Sequence, residues 1–105
     1  MLYELRQYTI KPGKQAAWVK IMEEEVIPLQ VAAGMVICGS FAGEDESVYV
    51  WLRRFADEEE RKRLYAAVYQ SERWKNEIGP RVPEYVELET IKVTRMSPTP
   101  KSVMQ

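Results

Sequence analysis

Three residues at alternate positions near the start, Glu4, Arg6 and Tyr8, set a carboxylate, a guanidinium and a phenol into the stretch YELRQYTIKPGK. In an extended chain successive side chains point to opposite faces, so alternate residues share one. An arginine on such a face offers five N–H donors in a planar fork suited to a carboxylate or enolate oxygen. Tyr8 adds a hydroxyl that can donate or accept, and Glu4 is either a base or the counter-ion that keeps Arg6 in place. A second acid, Glu25, falls near the centre of an apolar helical stripe, between Met22 and Leu29. An ionised carboxylate there needs a cation or a raised pKa, and Arg6 or Arg53 is the expected partner. Glu25 and Glu4 are therefore the candidate catalytic residues. The candidate ligand-binding set is Arg6, Tyr8, Glu4, Glu25, Trp51, Arg53 and Trp74, with the two tryptophans as walls for a flat, apolar ligand.

A plainer reading stands beside each of these. Glu4 and Arg6 can be a buried ion pair that fixes sheet register. Pro28 can rotate the helix and carry Glu25 to the solvent rim. Trp18, Tyr65 and Tyr69 read as packing, and Cys38, between Ile37 and Gly39, as a small buried hydrophobe.

Composition removes much familiar chemistry. The chain has no histidine, so a His base, a Ser-His-Asp triad and a His haem ligand are all excluded. A zinc site would need carboxylates and one thiol, so no metal and no cofactor is expected. Lys plus Arg (15) nearly balances Asp plus Glu (16), which gives no basic field for nucleic acid or anionic lipid. No apolar run approaches the roughly 20 residues of a membrane helix, and the start lacks a signal-peptide pattern. One cysteine rules out an internal disulfide. The expectation is a soluble, cytoplasmic, single-domain protein of 105 residues.

The elements that must position these residues follow from pattern. Leu2–Ile10 alternates as a strand, and KPG breaks it before a helix over Lys14–Ala33, bent at Pro28 and stopped by a left-handed Gly34. Met35–Gly43 and Val48–Phe55 form a hairpin around EDES. Asp57 with Glu60 opens a second helix as a capping box, and Ser71 caps a further turn, ERWKNEI, ended by Gly79 and Pro80. Tyr85–Met96 reads as a fourth strand, and SPTPKSVMQ as a loose or partner-draped tail, giving a domain over 1–96 and a tail over 97–105. The order β-α-β-β-α-β is that of a ferredoxin-like α+β fold, a four-stranded antiparallel sheet with both helices on one face. On the third strand Val48, Val50 and Leu52 line one face, and Tyr49, Trp51, Arg53 and Phe55 the other. Neither face is simply polar, so the uncovered one calls for a partner, and a homodimer is expected.

The stretches LYELRQYTIKPGK, VYVWLRRFADEEERKRL and AVYQSERWKNEI resemble the NIPSNAP family, whose members open on such a strand followed by a lysine-proline-glycine turn. The resemblance implies a dimeric α+β barrel in which two sheets close face to face, and a tryptophan near position 74 after the second helix. The wider group includes cofactor-free monooxygenases and haem-degrading enzymes, with a pocket between the sheet and helices of each subunit. By that comparison Arg6 aligns with a polar pocket residue, and Glu4, Arg6 and Tyr8 point under the helices. The implied function is the binding of a small organic molecule. The alternatives are a cofactor-free monooxygenase or isomerase using Glu25 or Glu4 with Arg6, and an interaction module without a ligand.

Overall fold

A computed structural model describes residues 1–105. Its four strands, β1 (Leu2–Thr9), β2 (Val36–Ala42), β3 (Val48–Phe55) and β4 (Lys92–Met96), form one antiparallel sheet in the order β2-β3-β1-β4. Helices α1 (Gln15–Ile21), α2 (Ile27–Ala33) and α3 (Glu58–Tyr69) complete a ferredoxin-like α+β fold. Register places Glu4 opposite Arg53, Arg6 opposite Trp51 and Tyr8 opposite Tyr49. That one register line fixes the site, because β3 alternates half-buried and buried along its length and Tyr49, Trp51, Arg53 and Phe55 are its buried positions. The helices cover this face. Tyr8, Ile10, Trp18, Met22, Val26 and Trp51 belong to one core cluster, and Met35, Phe55, Leu64 and Val68 form a smaller one.

Local signals act as expected at several points. Gly34 ends α2 at φ 112, and Gly13 turns the KPG corner at φ 75, both left-handed. The Asp57 side chain accepts from the Glu60 N–H at 2.8 Å. Glu60 reaches back to the Ala56 N–H at 3.3 Å, near the reciprocal bond of a capping box.

Five expectations are corrected. The first helix is not one rod: Met22–Val26 forms a π-helical turn between α1 and α2, in which the Ile27 N–H bonds the Met22 carbonyl five residues back. Pro28, lacking an N–H, sits in the first turn of α2, so the ladder changes phase just before it. After that shift Val26 and Gln30 are buried and Glu25 lies off the stripe. Beyond Ser71, whose hydroxyl accepts from the Trp74 N–H, Gly79 does not end the helical path. The chain continues through a π turn (Trp74–Ile78) into a 3-10 turn (Gly79–Glu84).

The fourth strand is shorter than its alternation suggests. Thr90 turns both its N–H and its hydroxyl onto the Glu87 carbonyl, so Leu88–Thr90 is a 3-10 turn. Ahead of it only Val86 bridges back to the sheet, opposite Ile10. The tail is likewise tied down. Gln105 folds onto the Thr99 and Ser102 carbonyls, and the Tyr3 hydroxyl donates to the Gln105 carbonyl at 2.8 Å. Tyr3 stands on the helix-free face yet is only 4% exposed. Cys38 falls within a β-bulge between Ile37 and Gly39 and is half-buried rather than buried, its thiol pushed up by burial.

Candidate functional site

Two polar systems share the helix-covered face. The first is closed. Arg53, with no solvent exposure, stacks its guanidinium 4.5 Å from the Trp51 ring centroid. Its Nη1 donates to Gln30 Oε1 at 3.0 Å and the Tyr69 hydroxyl at 2.8 Å. Its Nη2 donates to the Tyr65 hydroxyl at 2.6 Å and to Glu4 Oε1. Tyr65 in turn donates to that same Glu4 oxygen, while Glu4 Oε2 accepts from Arg61 Nε at 2.9 Å. Burial pushes the Glu4 carboxyl up, but Tyr65, Arg53 and Arg61 together outweigh it and hold the group below its ordinary 4.5. Glu4 is thus an ionised acceptor with both oxygens committed. Tyr65 is pushed to about 12, first by burial, with Arg53 opposing and the Glu4 charge adding.

The second system opens onto a cavity of about 600 Å³ between β1, β3, the first helical segment and the stretch from Tyr69 to Ile91. Arg6, Tyr8, Trp18, Trp51, Tyr69, Trp74 and Lys75 line it, with apolar side chains from Met22, Val26, Val82, Leu88 and Ile91. One wall is built by the 3-10 turn Gly79–Glu84 together with Leu88 and Ile91 from the segment expected to begin the fourth strand. The Lys11 ammonium donates to the Pro83 carbonyl at 2.6 Å and ties that wall to the KPG corner.

Hydrogen-bond capacity decides what this cavity can do. The Tyr8 hydroxyl accepts from Arg6 Nε at 3.0 Å and from Trp51 Nε1 at 3.1 Å. Both lone pairs are taken, so its remaining capacity is to donate. Burial lifts Tyr8 above its ordinary 10.0, with Arg6 offsetting only part of the effect, so it stands as a neutral phenol. Within the protein Arg6 donates through Nε alone, and its Nη1 comes no nearer to Glu4 Oε1 than 4.0 Å. Burial acts to lower the Arg6 pKa, but the hydrogen bond to Tyr8 and the negative charge that Tyr8, Tyr69 and Tyr65 take on at high pH outweigh it, so the guanidinium stays charged.

Of the residues singled out from sequence, Arg6, Tyr8, Trp51 and Trp74 meet at the cavity. Glu4 and Arg53 lie behind Arg6 in the closed network. Glu25 is elsewhere: its partners are Arg81 at 2.7 Å and Arg73 at 3.3 Å, not Arg6 or Arg53, and its side chain is 26% exposed. The π turn that rephases the helix accounts for this shift.

Sequence reasoning passed over Trp18 as a wall, Gln30 and Tyr69 as network members, and Lys75 at the cavity. Gln30 carried a readable signal, a lone amide within the apolar run IPLQVAAG. Tyr65 and Tyr69, one helical turn apart, were a second, since buried tyrosines bring hydroxyls that need partners. For Lys75 and the wall from Gly79 to Ile91 no local pattern existed.

A NIPSNAP family model matches residues 3–102. No curated protein matches the sequence. Among solved structures, protein Atu4242 from Agrobacterium tumefaciens superposes over 100% of both chains with 25% identity and a TM-score of 0.90. Another crystal structure describes it as a NIPSNAP family protein with unknown function. A second NIPSNAP family protein of that organism, Atu5224, covers 99% of this chain and 98% of its own, with 23% identity and a TM-score of 0.88. An antibiotic biosynthesis monooxygenase shares the fold at 17% identity and a TM-score of 0.69, over 95% of this chain and 100% of its own.

Proposed function

The chain belongs to the NIPSNAP family, and we propose that it acts on that fold as a homodimeric binding protein for a small organic molecule, held in the cavity between sheet and helices. One observation carries this reading: a charged guanidinium lines an apolar cavity of about 600 Å³ with its Nη atoms uncommitted to any hydrogen bond. Volumes of this order suit ligands of drug-like size, and a few placed polar groups in an apolar wall are how such sites orient them. Arg6 and Tyr8 form the polar end, and Trp51 and Trp74 flank the apolar body. Glu4 and Arg53 act from behind, the carboxylate fixing Arg53 and standing near Arg6.

The homodimer rests on the helix-free face of the sheet. Phe41 there is 60% exposed, with Val36 and Met96 also open and Leu5, Val50 and Leu52 half-buried. A second copy packed sheet to sheet covers this surface symmetrically. No helix is long and apolar enough to cross a membrane, and a single free cysteine accords with the reducing cytoplasm as the place of action.

The enzymatic alternative, a cofactor-free monooxygenase or isomerase, draws on the fold shared with an antibiotic biosynthesis monooxygenase. It is the weaker reading, because neither Glu4 nor Glu25 lines the cavity and fold alone does not choose a chemistry. Sedimentation equilibrium at micromolar concentration tests the dimer: twice the 12.3 kDa chain mass is expected, and a monomer mass rejects it. Arg6→Ala should abolish ligand binding and keep the dimer folded. A variant that binds as well as the parent rejects the site.

A further inference from the structure

We infer that the ligand is an organic monoanion with a carboxylate-type polar end and a flat apolar body, an inference that rests on the cavity reading above. The uncommitted polar side-chain groups of the cavity wall are donors. Arg6 presents its free guanidinium edge. Tyr8 already accepts twice and can only donate outward. Tyr69 is in the same position, because its oxygen accepts from Gln30 Nε2 and from Arg53 Nη1. Trp18 lines the cavity at 2% exposure, and its indole N–H has no acceptor in the protein. Lys75 adds an ammonium.

No aspartate, glutamate, asparagine, glutamine, serine or threonine lines the wall. A ligand bringing its own donors would find no side-chain acceptor and would lose its hydration without return. A carboxylate brings acceptors only and pairs with the guanidinium edge of Arg6 and the outward-donating hydroxyl of Tyr8.

Charge points the same way. Three guanidiniums stand at or within 4.0 Å of the single Glu4 carboxylate. Arg53 holds Glu4 Oε1 in a buried hydrogen bond, and Arg61 has Glu58 as well. Arg6 is left with the most distant share, on the side that faces the cavity. An anion there fills the outstanding position. The three tryptophans and the aliphatic wall select a flat, apolar remainder.

Three matched probes test the inference on the full-length protein: 2-naphthoate, its neutral amide 2-naphthamide, and 2-naphthylmethylamine, which is cationic at neutral pH. Calorimetry gives affinity. The indole region of a nitrogen-15 correlation spectrum, assigned with Trp18→Phe, reports whether a probe enters beside the cavity tryptophans. Naphthoate should bind at least about tenfold tighter than the amide and shift the Trp18 signal, with the amine weakest. Arg6→Gln should cost naphthoate about ten- to hundredfold, the range of a charge-assisted hydrogen bond, and leave the amide within about twofold. Lys75→Gln, at an unpaired side chain, gives a fold-safe second variant with a loss of a few-fold for the anion alone. If the amide binds within about twofold of naphthoate, the cavity reading stands and the anion inference is overturned. If none of the three shifts a tryptophan indole signal, the cavity reading itself fails.

Discussion

Replacing Glu4 with glutamine isolates the role of the buried carboxylate with almost no change in shape. The substitution removes the only negative charge facing Arg53, which has no solvent exposure, while Arg61 keeps Glu58 and Arg6 keeps its cavity edge. The cost therefore concentrates on Arg53. Breaking a buried pair by removing one partner typically costs about 3–5 kcal/mol. Glutamine still offers one oxygen to Arg53 and Tyr65, so the lower end, about 3 kcal/mol, is expected. For a domain near 100 residues that is a fall in Tm of about 12 °C or more.

The acid side gives an independent reading. Because the folded pKa of Glu4 lies below 4.5, the unfolded chain binds its proton first. The contribution is complete above about pH 4.5 and is lost as pH falls through the folded value. Urea unfolding at pH 7 and at steps below pH 4.5 should show a loss of stability in the parent that is blunted in Glu4→Gln. Adding Arg53→Met should recover part of the loss, with a coupling of about 1–3 kcal/mol. A Glu4→Gln variant within about 0.5 kcal/mol of the parent, with the same acid profile, would refute the account of Glu4 as the anchor of Arg53.

Other consequences are narrower. Glu25→Gln, at a partly exposed pair with Arg73 and Arg81, should cost no more than about 1 kcal/mol in urea unfolding and leave probe affinity unchanged. Absorbance titration at 295 nm should show Tyr49 and Tyr65 ionising near 12. These tyrosines are raised in the folded state, so their contribution is complete below pH 10 and fades as pH climbs towards 12. Gly79→Ala places a Cβ 2.9 Å from the Trp74 carbonyl and 3.0 Å from its indole nitrogen. It should shift the cavity wall and weaken naphthoate binding measured by calorimetry more than it lowers Tm. Asp57→Ala removes the cap on the Glu60 N–H and should cost about 1 kcal/mol of thermal stability, with binding intact.

Period-two alternation in YELRQYT was enough to put Glu4, Arg6 and Tyr8 on one face, and the apolar run in VYVWLRRF supplied the strand that pairs with it. Both are backbone-periodicity signals, which a sequence carries directly. Glu25 shows where that legibility ends. A wheel at 100° per residue assumes an unbroken α-helix, and the π turn at Met22–Val26 shifts everything after it. Pro28 marked the disturbance, and the partly exposed Glu25 lies where the plainer reading carried it, towards the solvent rim.

The cavity wall was hidden for another reason. Tyr85–Ile91 alternates like a strand, yet Thr90 satisfies its neighbours locally and releases the segment from the ladder. That competition is settled by a hydroxyl bond to a carbonyl three residues away, and composition does not record it. Which of the arginines Glu4 would hold also lay beyond the sequence. Arg6 was the near choice along the strand, but cross-strand register and the helix above gave the tight contacts to Arg53 and Arg61.

Native mass spectrometry of untagged parent protein beside Arg6→Gln tests the central claim most directly. A dimer carrying a small organic mass on the parent, depleted on Arg6→Gln, is the predicted result. Equal occupancy on both proteins, or a parent that remains bare even after incubation with 2-naphthoate, would contradict it.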